Sequence, residues 1–311
     1  MKRYLNLFLL ITIVMSSCRY PEIDDANMLD GNIISYAITD SLNKNLASKY
    51  LSPVTPSMKN TPIIIAAHGY SATTFEWDEL RAYADSAKTF YVSQVLLGGH
   101  GRTYQAFKNA DWQDWQVSIM DEYRKLDSLG FKQIYLAGSS TGAPLIINLV
   151  KNGFFDDKSK PKGIFLIDPI VVSSNKTLTM VGLLGPLLGY TTTELANGEQ
   201  GHWYVYRPQH SLKQLMELIN LTRRDLERGL ILPQGTYMKV YKSKIDDVAD
   251  PISAYLIYKG IQTSNDGLID VEMVDSKLHV FTRLKGRDDV TDIDKANQKI
   301  VFNKIEDRIK N

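Results

Sequence analysis

The sequence predicts an α/β fold in which a mostly parallel sheet carries helices on both faces and receives an inserted, mainly helical cap. Three observations carry that expectation. Short continuous apolar runs recur along the chain, as in strands buried on both faces. Amphipathic stretches of helical period separate them. One interval of about sixty residues holds helical patterns but no buried strand, which is too long for a plain connection in a compact domain. Composition agrees with a globular protein. The 311 residues are 44% hydrophobic and 23% charged, with 36 basic against 35 acidic side chains and a net charge of +1. That balance leaves no basic face for nucleic acid and is too apolar for a disordered chain. Nothing repeats at a fixed period, which argues against a solenoid or propeller.

At the N-terminus, Lys2 and Arg3 precede an apolar run from Leu5 to Met15 and then Ser16-Ser17-Cys18. Eleven residues would span about 16 Å as a helix, roughly half a bilayer core, so a secretion signal fits better than a membrane span. The small pair before the cysteine resembles a bacterial lipobox. That resemblance implies a signal peptide over 1–17, lipidation of Cys18, and an extracytoplasmic protein held to a bacterial membrane through the anchor. Cys18 is the single cysteine, so no intramolecular disulfide can form. Residues 18–60 read as a polar tether with early strands, broken by Ser52-Pro53-Val54-Thr55-Pro56-Ser57.

The core is expected over 61–170 and 234–311. Its strands are predicted at 63–67, 91–97, 133–137, 163–167, 237–241 and 271–274. The helix over 114–129 places Trp115, Ile119, Tyr123 and Leu126 on one stripe and stops at Gly130, a suitable left-handed residue after a helix end. A last helix over 294–309 repeats apolar residues at Ala296, Ile300, Ile305 and Ile309. The interval 171–233 is the cap, with a helix over 211–230 for which Ser211 is the expected N-cap.

The chemistry is concentrated in Gly138-Ser139-Ser140-Thr141-Gly142, which follows an apolar strand and precedes a helix-like stretch. This is G-x-S-x-G in its strand–turn–helix context, a turn too sharp for bulky neighbours that lifts Ser140 Oγ off the sheet. A serine hydroxyl is a weak nucleophile at neutral pH and needs a base, itself oriented by an acid. Of the five histidines, His68 and His100 sit in glycine-containing loops upstream, and His202 and His210 fall in the cap. His279 follows the last strand and is the expected base. Asp246, in the loop after the strand 237–241, is the preferred acid, because sites in parallel sheets assemble at the carboxyl ends of strands. Asp168, in Ile167-Asp168-Pro169, is the alternative. The order Ser140, Asp246, His279 is that of α/β-hydrolases.

Several segments together resemble the capped α/β-hydrolases of the bacterial carboxylesterase and monoacylglycerol lipase type. They are His68-Gly69-Tyr70-Ser71, Gly99-His100-Gly101, Asp111-Trp112-Gln113-Asp114-Trp115, the acid loop from Asp246 to Pro251, Leu278-His279-Val280 and the cap run from Tyr206 to Leu226. The resemblance covers residues 62–309. It implies a serine hydrolase of carboxylic esters, with an oxyanion hole made from the backbone N–H groups of Tyr70 and Thr141. A serine aminopeptidase or amidase on the same fold, or an inactive surface-binding lipoprotein, are the alternatives. No metal-ligand spacing and no dinucleotide fingerprint is present, so neither metal nor cofactor is expected. The partner is a small-molecule or lipid ester; the apolar run 180–190 reads either as a loop packing the cap onto the core or as a wall that offers Leu183, Leu187 and Leu188 to an acyl chain.

Overall fold

The computed structural model describes residues 48–174 and 189–311. The expected signal peptide, Cys18, most of the tether, and the three leucines of the 180–190 run lie outside the described residues.

Five strands and the helices between them build the first part of the core. They are β1 (Ile63–Ala67), α1 (Asp78–Ala87), β2 (Tyr91–Val95), α2 (Tyr104–Asn109), α3 (Trp112–Ser128), β3 (Ile134–Ser139), α4 (Gly142–Lys151) and β4 (Gly163–Ile167), then, after an intervening segment, β8 (Tyr237–Ser243). The intervening segment contains β5 (Tyr190–Thr192), β6 (Tyr206–Pro208), α5 (Gln209–Arg228) and β7 (Leu230–Ile231). Beyond β8 come α6 (Ile252–Gly260), β9 (Ile261–Gln262), β10 (Asp270–Val274) and α7 (Asp292–Lys310). Six strands form one sheet in the order β10-β8-β4-β3-β1-β2, and every neighbouring pair is parallel.

The unbroken apolar runs are explained by the two covered faces. Along β1, Ile63, Ile65 and Ala67 join one cluster with Trp115, Ile119 and Leu145, while Ile64 and Ala66 join another with Leu80, Phe302 and Ile305. One face therefore carries α3 and α4, and the other carries α1 and α7. β10 departs from the expectation of a strand buried on both sides. It is the sheet edge, and of its five residues only Val274 is buried.

The helix starts differ from the expected ones in a consistent way. The sequence suggested Asp114 and Asp294 as first residues, but each is the third residue of a helix that begins at Trp112 and Asp292. Each carboxylate reaches back to the amide before its helix, Asp114 Oδ2 to Asp111 N at 2.9 Å and Asp294 Oδ2 to Thr291 N at 3.0 Å. An acidic residue in that reciprocal arrangement resembles an N-cap when only the sequence is read. The end of α3 is as expected, with Gly130 at φ +84° closing the turn through its N–H to Asp127 O.

Ser211 is not an N-cap. The helix α5 starts two residues earlier because β6 runs directly into it through Pro208, whose fixed φ of −60° suits the cap position. Ser211 Oγ instead donates back to Pro208 O at 2.9 Å and meets Tyr70 Oη at 2.6 Å. The buried stripe of α5, including Leu215, Leu218, Ile219 and Leu226, joins the same cluster as α3 and α4. Among the described residues no helix is long and apolar enough to cross a membrane.

Candidate active site

Ser140 stands between β3 and α4 with φ +47°, a left-handed conformation that a non-glycine residue adopts only under constraint. The two flanking glycines are what the turn requires. A Cβ on Gly142 would lie 2.3 Å from Ala67 O, and one on Gly138 would lie 2.7 Å from the Gly142 carbonyl carbon. Bonds from Ser140 N to Ile167 O, and from Ile170 N to Ser140 O, tie the turn to the end of β4. The side chain is 6% exposed and opens on a cavity of about 380 Å³.

His279 and Tyr70 line the same cavity. His279 Nδ1 lies 2.8 Å from Asp246 Oδ2, the proton residing on the imidazole nitrogen when the ring is neutral. Asp246 Oδ1 also accepts from Val248 N at 2.9 Å and Ala249 N at 3.0 Å, so the loop after β8 wraps its own carboxylate. Burial alone would raise the Asp246 pKa. The His279 hydrogen bond and the charges of His279 and Lys242 overcome it and hold the carboxyl well below the usual range.

Asp168, the alternative acid, faces elsewhere. Its Oδ1 accepts from Ser243 N at 2.7 Å and from Lys242 Nζ at 3.1 Å, and its Oδ2 accepts from Phe281 N at 3.2 Å. It thus holds the backbone of the loop that carries His279, while Asp246 holds the ring. Ser243 Oγ adds a bond to Leu278 O at 2.8 Å, and Arg287 donates to His279 O.

Lys242 was not singled out by the sequence, and it is the residue that joins the two carboxylates. Its side chain is fully buried, with Nζ bonded to Asp168 Oδ1 and to Asp246 Oδ2. Two carboxylates against one ammonium leave a single negative charge beside His279. A lysine at the end of a strand is ordinarily a solvated one. Only the neighbouring strands β4 and β10 reveal the burial of Lys242, because they enclose the side chain.

The amides of Tyr70 and Thr141 find no acceptor among the described residues. The Tyr70 loop is drawn against the serine because Gly69 has no side chain, and a Cβ there would lie 3.0 Å from Ser140 Cβ. Glu76, buried and also unnoticed in the sequence, braces both halves. Its Oε1 accepts from Gly69 N at 2.8 Å and from Ser139 Oγ. Behind them His68 is buried and uncharged. Its Nε2 accepts from Leu97 N at 3.1 Å, which leaves the proton on Nδ1 for Gly69 O at 2.8 Å, and burial lowers its pKa to about 4. His100 is also buried, 5.2 Å from the His68 ring, and its pKa is lowered well below the ordinary value by burial and by His68. His202 stacks on Phe75 and His210 pairs with Asp111, so neither approaches Ser140 through a hydrogen bond.

No protein-family model matches the chain. It is 25% identical over 227 residues to a thermostable monoacylglycerol lipase of Bacillus sp. (strain H-257), covering 72% of this chain and 85% of the lipase. It is also 25% identical over 231 residues to a carboxylesterase of Bacillus subtilis (strain 168), covering 72% of this chain and 87% of the esterase. Among solved structures, that of a metagenome-derived lipolytic enzyme superposes with a TM-score of 0.66 at 18% identity, covering 86% of this chain and 98% of that one. A soluble variant of the monoglyceride lipase of Saccharomyces cerevisiae, bound to a substrate analogue, gives 0.64 at 13% identity, covering 85% and 94%. The fold is the α/β-hydrolase fold, and the relatives place the chain beside hydrolases of the carboxylesterase and monoacylglycerol lipase type.

Proposed function

We propose that the protein is a serine hydrolase of carboxylic esters that works through an acyl-enzyme on Ser140. The observation that carries this reading is His279, held by Asp246 at 2.8 Å, on the wall of the cavity into which the constrained Ser140 turn opens. The two Bacillus relatives, a lipase and a carboxylesterase by name, support ester hydrolysis. A cavity of about 380 Å³ lies within the range of small-molecule sites.

In the proposed reaction, Ser140 Oγ bonds to the acyl carbon while His279 Nε2 takes the hydroxyl proton. The carbonyl π electrons move onto its oxygen, which the free N–H groups of Tyr70 and Thr141 receive. Asp246 keeps the other imidazole nitrogen protonated and pointed away from the serine. The oxyanion collapses, the ester C–O bond breaks, and the alcohol leaves with the proton that His279 returns. Water then repeats the sequence on the acyl-enzyme, and the acid departs. The single excess negative charge of the Asp168, Lys242 and Asp246 group favours the imidazolium formed in each half.

The test is the time course of p-nitrophenol release from acetyl and butyryl esters. The expected result is a burst near one equivalent in the wild type and none in Ser140→Ala. A Ser140→Ala variant with wild-type turnover would overturn the reading. We further propose that the chain is lipidated on Cys18 after loss of 1–17 and is held to an extracytoplasmic membrane face, on the strength of the Ser16-Ser17-Cys18 segment. Metabolic labelling with a palmitate analogue should mark the wild type and leave Cys18→Ser unlabelled.

A further inference from the structure

The charged groups around the cavity are not all accounted for by one another. Arg283 Nη2 pairs with Glu199 at 2.5 Å, and the guanidinium of Arg283 stacks over Trp203. Arg287 donates to the carbonyls of Arg283 and His279. Glu76 is committed to Gly69 and Ser139. Asp247, Glu194 and Lys277 stand at the exposed rim.

Arg207 differs from all of these. It lies on β6, its guanidinium 5.9 Å from the centre of the Tyr70 ring, and it lines the cavity together with Ser140 and His279. Its Nε is buried and has no hydrogen-bond partner, a feature shared with Arg283, which differs in being paired with Glu199. Among the described residues no carboxylate comes within ion-pairing distance of it, and Glu199, whose charge it feels, is already taken by Arg283. Arg207 as a whole is partly buried, but its buried Nε–H with no acceptor is costly unless a ligand completes it. Its planar fork suits a carboxylate better than any neutral group. Ile170, Leu195, Leu212 and Leu215 give the wall an apolar stretch.

We infer that Arg207 forms an anion subsite and that the substrate is an ester carrying a free carboxylate, joined to the scissile acyl group by a short hydrocarbon segment. The inference deepens the serine hydrolase reading and rests on it for the bond that is cleaved. The apolar wall would hold the hydrocarbon, and Arg207, stacked on the residue whose amide faces the oxyanion, would fix the distal end. Binding energy gained at that remote group can then align the acyl carbon with Ser140.

Two pairs of probes test it. The first compares p-nitrophenyl monoesters of succinate, glutarate and adipate with neutral acyl esters of equal length, each corrected for the Ser140→Ala background. We expect the best monoester to exceed its neutral counterpart about tenfold or more in kcat/KM, and Arg207→Met to reduce that ratio at least fivefold while Arg207→Lys keeps part of it. A ratio near one in the wild type, or one that Arg207→Met moves less than fivefold, overturns the inference. The second pair measures binding of the corresponding monoanilides and neutral anilides to the wild type by calorimetry. It needs no turnover and no folded Arg207→Met variant. About tenfold tighter binding of the acid supports the subsite, and equal binding overturns it. Loss of turnover and of Ser140 labelling by a fluorophosphonate, with that preference intact, would instead strike the hydrolase reading alone.

Discussion

Asp168 and Asp246 are both buried, both lie just beyond the carboxyl end of a central strand, and both bond to the ammonium of Lys242, yet they serve different objects. Asp246 receives the imidazole of His279. Asp168 receives the amides of Ser243 and Phe281 and makes no hydrogen bond to the ring. Residue type and strand position do not separate them. The direction of the loop does. After β8 the chain folds back so that the amides of Val248 and Ala249 turn Asp246 toward the cavity, whereas Asp168, at φ +44°, is held beneath the histidine loop. One carboxylate orients the imidazole, and the other orients the backbone that carries it.

The widest separation between the two should come from asparagine substitutions. Asp246→Asn is expected to lower kcat about 10³-fold or more on p-nitrophenyl esters, because the amide can present the wrong imidazole tautomer to the serine. A loss below about tenfold, with Asp168→Asn the more damaging, would reverse the assignment. Removing the link comes next. Lys242→Met leaves two carboxylates buried without their cation and should cost about 3–5 kcal/mol in urea unfolding. Its remaining activity should have an acidic limb in the kcat/KM profile displaced to higher pH, on the order of one unit, since the group beside His279 becomes more negative. An unchanged limb would separate the lysine from the proton transfer.

Asp168→Asn is expected to act on stability more than on chemistry. Weakened bonds to Lys242, Ser243 and Phe281 should cost about 2–3 kcal/mol, with kcat reduced by no more than about tenfold. Thermal melts and steady-state rates on the same preparation decide it.

The smallest effect is the dependence of stability on pH, where two windows can be told apart. His68 has a folded pKa of about 4, below its ordinary 6.5, so the unfolded chain binds the proton more readily. Its contribution is complete above about pH 6.5 and is lost as pH falls to about 4, on the order of 3 kcal/mol over the window. His202, lowered to about 4 by burial, and His100 share that range, so His68→Gln should remove part of the slope there. Asp246 is shifted below its ordinary 3.8, and its contribution is present above that pH and lost as pH falls further. Asp246→Asn should therefore flatten the curve only below about pH 4, as measured by urea melts across pH.

Much of this arrangement was legible in the residues because it depends on local geometry. Ser140 between Gly138 and Gly142 requires a turn that only small neighbours permit, and the observed close approaches to Ala67 and Gly142 are the physical form of that requirement. The apolar runs gave the sheet strands to within a residue or two at most ends, because strands buried on both faces are mostly apolar, with polar exceptions such as Lys242. The helix starts were displaced at Asp114 and Asp294 for an equally local reason, since a carboxylate that caps from inside the helix has the same spacing signature as one that caps from outside.

The long-range choices were of another kind. Whether Asp168 or Asp246 meets His279 depends on bonds that span 33 to 113 positions, and no pattern along the chain encodes the direction in which a loop returns. Lys242 looks like an ordinary strand lysine until β4 and β10 enclose it. Arg207 looks like an ordinary arginine beside a proline until β6 sets it over Tyr70. The parallel sheet, the sharp Ser140 turn and the short list of titratable candidates are legible along the chain, because periodicity and backbone sterics act between near neighbours. Which carboxylate meets the histidine, and which cavity arginine lies apart from any carboxylate among the described residues, follow from the fold, because charge and hydrogen bonding are settled by what burial brings together.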